Sequence, residues 1–109
     1  MSGGAPADAS VVAGFRADER GERWHYAGPL RFENAEAALE AAQALALPSS
    51  GVVDLSALEP ADSAALAVLL ALRRRARAEG RDLAYAAMPA SLVSLAQVYG
   101  SDALLGGGG

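Results

Sequence analysis

Polar and apolar positions along the chain change period several times, and each change marks a predicted element. Residues 10–15 and 23–27 are short β-like runs carrying Val11, Val12, Phe15, Trp24 and Tyr26. The charged segment 17–22, with Gly21, separates them and predicts a hairpin. Residues 30–32 are a candidate extension of the sheet after Gly28-Pro29, and Asn34 offers an N-cap for a helix over 35–47. In that helix Ala35, Ala38, Leu39, Ala42 and Ala46 share a face, Glu36, Glu40 and Gln43 fall elsewhere, and Pro48 marks the end.

Residues 51–55 (GVVDL) form a short β-branched run bounded by turn residues, as expected of a buried strand between helices. A second helix is predicted from Asp62-Ser63, either of which can accept from free first-turn N–H groups, to Gly80. Its front carries Leu66, Val68, Leu69, Leu70 and Leu72. Its back is an arginine cluster placed where cations meet the negative end of the helix dipole. Residues 82–86 give another strand, and Pro89 suits the first turn of a third helix with Leu92, Leu95, Ala96 and Tyr99 in one stripe before Gly100. Right-handed crossovers then place the later strands parallel in one mixed β-sheet backed by helices, an α/β sandwich. Residues 1–9 and 106–109 offer no apolar periodicity and are expected to be flexible ends of a single domain over 10–105.

Composition narrows what such a domain does. A chain of 109 residues, 52% hydrophobic, has room for one core. It has no cysteine and a single histidine, His25, so thiolate chemistry and multi-histidine metal sites fall away, and no cofactor or metal is expected. The first ten residues are small and polar, without the basic start and apolar run of a signal peptide. The longest apolar stretch, 64–72, is far short of the roughly 20 residues that span a bilayer. A cytoplasmic protein is the resulting expectation.

All nine basic residues are arginines. Residues 73–81 hold five of them and one glutamate, a charge of +4, which leaves −8 for the rest of a chain whose total is −4. An acidic protein with one compact basic patch is a poor general nucleic-acid binder, but the patch suits an acidic partner surface as well as a solvated helix end. Ser63 lacks the G-x-S-x-G surroundings of a hydrolase nucleophile. Asp54 and Asp62 read as a strand-end aspartate and a helix cap rather than an acid–base pair. No catalytic residue is assigned, and a non-enzyme is expected.

The stretch 53–66 (VDLSALEPADSAAL) resembles the signature of the STAS family, the sulfate-transporter and anti-sigma-factor-antagonist domain. There a strand ending in Asp-Leu leads through a loop to Asp-Ser or Asp-Thr opening an apolar helix, and the order of elements above fits that family's fold. One departure is Ala65, where many members carry glycine two residues after the Ser/Thr, a change that bears on how closely a partner approaches. In members switched by phosphorylation the position matching Ser63 is the phosphosite and lies in the partner-binding surface. The resemblance therefore makes Ser63 a candidate phosphorylation site, the alternative being a plain helix cap.

Two further stretches, 26–35 (YAGPLRFENA) and 89–100 (PASLVSLAQVYG), are similar to the MlaB branch of the family. Members of that branch are STAS subunits of phospholipid ABC transporters that maintain outer-membrane lipid asymmetry. The similarity implies docking to the transporter ATPase, and through it to the permease at the inner membrane, with no direct contact with lipid or nucleic acid. On this reading Pro60, Asp62, Ser63, Ala64 and Leu66 form the helix edge presented to the ATPase, with Arg73 and Arg77 one and two turns on. The alternative is an anti-sigma-factor antagonist that uses the same surface on an anti-sigma kinase and is released when Ser63 is phosphorylated.

Overall fold

A computed structural model describes residues 13–100, so Val11, Val12 and both expected flexible ends lie outside the described residues. The elements are β1 (Gly14–Ala17), β2 (Arg23–Leu30), α1 (Ala35–Gln43), β3 (Val52–Ala61), α2 (Ser63–Ala78), β4 (Ala84–Ala86) and α3 (Ala90–Val98). The sheet runs β1-β2-β3-β4. Its first pair is the expected antiparallel hairpin, and β2, β3 and β4 are parallel. This is the mixed α/β fold that the sequence pattern predicts.

Strand alternation places one sheet face under the helices. Phe15, Trp24, Tyr26, Val53 and Leu55 point inward and join Ala38, Ala42, Leu66, Val68, Leu69, Leu72, Ala76, Leu92 and Ala96 in one core. Phe15 meets the Tyr26 ring edge-on at 4.6 Å between centroids, and Trp24 Nε1 donates to the Ala46 carbonyl at 3.1 Å, which ties the sheet to the chain beyond α1. On the other face Arg16, His25 and Asp54 stand in register across three strands.

Several elements depart from the sequence pattern for identifiable reasons. β3 extends six residues beyond Leu55, because the pairing with β2 absorbs two irregularities: Leu55-Ser56 face Tyr26, and Glu59-Pro60 face Pro29. Pro60 sits at the second of these, joined to Glu59 by a cis peptide, where a residue without an N–H removes no regular ladder bond. α1 stops at Gln43 rather than at residue 47. Asn34 holds its N-cap position, yet its side chain does not cap the helix. Instead Asn34 Oδ1 accepts from the Arg31 N–H at 2.9 Å and Nδ2 donates to the Pro29 carbonyl at 2.9 Å. The Tyr26 hydroxyl donates to that same carbonyl at 2.6 Å, and burial raises its pKa, keeping the donor protonated. The β2–α1 loop is thus closed from within.

The arginine cluster also divides. Arg75 donates to the Ala42 and Leu45 carbonyls at 3.1 and 2.6 Å, and its Nε meets Glu79 Oε2 at 2.9 Å. Arg81 donates to the Pro48 carbonyl. These two side chains add donors to carbonyls at the end of α1 and in the following turn, of which Ala42 and Pro48 also accept the Leu45 and Gly51 N–H groups at 3.0 and 2.9 Å, so the back of α2 is not uniformly solvated. Nearby, Gly51 has φ +74, and a Cβ there would lie 2.8 Å from the Asp82 carbonyl oxygen, a close approach only glycine permits. Pro89 holds the N-cap position of α3 rather than its first turn. Tyr99 lies past the end of α3 and is 62% exposed, so the buried stripe there is Leu92 and Ala96 with Leu95 at its edge.

Candidate functional site

The β3–α2 junction is organised by Asp62. Its backbone is extended and its Oδ1 accepts the Ala64 N–H at 2.9 Å, capping α2. Its Oδ2 accepts the Phe32 N–H at 3.0 Å, so one carboxylate fastens the β2–α1 loop to the start of the helix. With both oxygens engaged by backbone donors, Asp62 is a structural clamp rather than a base. The cap role belongs to Asp62, and Ser63, the first helical residue, is exposed and is not the cap.

Of the residues expected at this edge, Pro60 and Ser63 are exposed and Asp62 and Ala64 half-buried. Leu66 is only 4% exposed and packs in the core, because it lies on the same helix face as Leu69, Leu72 and Ala76. It therefore offers nothing to a partner. Ala65, the departure from the family pattern, is 0% exposed, so its methyl faces the core and does not set the approach of a partner.

Sequence reasoning missed two parts of this surface. Phe32 is 83% exposed, with its backbone held against Asp62. Its signal was the Pro-Leu-x-Phe stretch itself, where an aromatic follows the buried end of a strand. Arg74 was passed over within the cluster, although Ser63, Ala67, Leu70, Arg74 and Arg77 recur at alternating intervals of four and three and so share one face of α2. Of these only Leu70 is half-buried, the rest being exposed. Arg73 is half-buried and, with Leu70, Arg74 and Arg77, lines a surface groove of about 200 Å³.

Asp54 belongs elsewhere. It accepts from the Ser56 N–H at 2.8 Å on the open sheet face, with Arg23 at 3.8 Å and His25 at 4.0 Å. The Ser56 donors chiefly, then His25 and Arg23, hold its carboxyl below the usual aspartate range. Asp54 and Asp62 thus have separate partners. Among the described residues no three His, Asp or Glu side chains come together as a metal site, and no helix is long and apolar enough to cross a membrane.

A mixed four-stranded sheet covered on one side by helices, the longest of which opens on a capped N-terminus, defines an α/β sandwich. The chain belongs to the STAS-domain family in its MlaB form: the family model described as "Mlab, STAS domain" matches residues 13–106. No curated protein sequence matches the chain.

Proposed function

We propose that this protein is a non-catalytic STAS subunit that binds and supports the ATPase of an Mla-type phospholipid ABC transporter, and so serves outer-membrane lipid asymmetry. The observation that carries the reading is the MlaB-type family match over the entire described fold. The surface at the start of α2 supports it: Pro60, Ser63 and Phe32 are exposed around a carboxylate already satisfied by N–H donors. Such a surface is suited to docking, with a rigid aromatic anchor beside small side chains that admit a close approach. The protein would then be cytoplasmic and peripheral at the inner membrane through its partner.

Affinity purification of the tagged chain from gently solubilised host membranes, with co-purifying proteins identified by mass spectrometry, tests this reading. An ABC ATPase with its permease is the expected catch. A soluble anti-sigma kinase without transporter chains would assign the same surface to a partner-switching regulator, with Ser63 as its phosphosite.

A further inference from the structure

Four of the five clustered arginines separate into two kinds, the fifth, Arg73, being half-buried at the groove. Arg75 and Arg81 are turned onto backbone carbonyls of the α1–β3 connection, and the cluster's glutamate, Glu79, is engaged by Arg75. Arg74 and Arg77 are exposed, one turn apart, and take part in none of the ion pairs Arg23–Asp54, His25–Asp54, Arg31–Glu33 and Arg75–Glu79 found among the described residues. Two like charges at this spacing repel each other, and among the described residues no carboxylate forms an ion pair with them, although outside residues 73–81 the chain carries a net −8. Leu70 adds an apolar floor at the N-terminal end of the groove they line.

We infer that Arg74 and Arg77 receive a carboxylate-bearing segment of the partner protein, with Leu70 taking an apolar side chain next to it. The inference rests on the proposed docking of the ATPase through α2, and it specifies the chemistry of the partner. Because Ser63 and Arg74 lie on one helix face eleven residues apart, the partner's acidic groups fall about 16 Å from its contact with Ser63 along the helix axis. Guanidinium groups suit carboxylates because their planar fork pairs with two oxygens at once. An anionic lipid surface is the poorer match, since juxtamembrane lipid binding draws on clusters of roughly four to eight basic residues and this face shows two free of acidic partners in an acidic protein.

The test is titration calorimetry of the full-length chain with the ABC ATPase that co-purifies with it, at low and high salt. Arg74→Glu/Arg77→Glu is expected to bind about tenfold or more weakly at low salt, with the gap closing at high salt. Arg74→Ala/Arg77→Ala, at exposed helical positions where alanine is well tolerated, is expected to weaken binding in the same direction by less. Unchanged affinity and salt dependence in the alanine variant, with its unfolding midpoint preserved, overturns the inference and leaves ATPase docking standing. Absence of binding by the unaltered chain overturns both. Loss of binding to phosphatidylglycerol vesicles in the glutamate variant, with ATPase affinity retained, would assign the arginines to lipid instead.

Discussion

Asp62 joins two loops through one side chain, and the neighbouring residues depend on it. Asp62→Ala removes the cap of α2 and the acceptor for the Phe32 N–H, and is expected to cost about 1–2 kcal/mol in urea unfolding. Ser63 is different, being exposed and not a cap, so its substitution leaves the fold intact and reads out on binding. Ser63→Asp is expected to weaken the complex with the ATPase by setting a second negative charge beside Asp62; unchanged affinity in calorimetry would remove Ser63 from the interface. Asp54 gives a pH signature. Its carboxyl is held low in the folded state, so its charge contributes stability above the unfolded-state aspartate pKa, and that contribution is lost as pH falls through the lower folded value. Asp54→Asn keeps an acceptor for the Ser56 N–H but not the charge. Its stability deficit is therefore expected at neutral pH and should vanish in acid; a deficit independent of pH would contradict the assignment.

Between elements, the attachment of α1 to α2 rests on a guanidinium that the sequence pattern assigns to solvent. Arg75 donates to two carbonyls at once, and Arg75→Ala is expected to destabilise the protein by about 2 kcal/mol, since a hydrogen bond to a charged group contributes roughly 1.5–3 kcal/mol. Arg75→Lys should recover only part of the loss, because a single ammonium lacks the fork that spans both carbonyls; full recovery in denaturant melts would show that charge alone matters. The order and type of every described element were legible in the sequence, because hydrophobic period, turn residues and caps agree locally. The extent of β3 was not, because Pro60 reads as a stop while bulged pairing with β2 tolerates it. Nor was the true task of Asn34, whose side chain turns back to a loop that exists only once Gly28-Pro29 has closed against Tyr26.

At the scale of the whole molecule, the sheet exposes one face and α2 exposes another, and the proposed function chooses between them. The junction 54–63 (DLSALEPADS) and the family resemblance pointed to the candidate site from sequence, yet helix phase decided its membership: Leu66 rotates into the core while Ala67 and Arg74 rotate out. Phe32 joins from a loop thirty residues earlier, a proximity that only the Asp62 bridge reveals. The open sheet face, with Arg16, His25 and Asp54 in register, is the rival docking surface. Site-specific photo-crosslinking distinguishes the two directly, with a photoreactive residue placed in the full-length chain at exposed Ala67 on α2 or at exposed Arg16 on the sheet, in the presence of the co-purifying ATPase. The account predicts a crosslinked ATPase adduct from position 67 and none from position 16. An adduct from position 16 alone would contradict it and move the partner to the other side of the molecule.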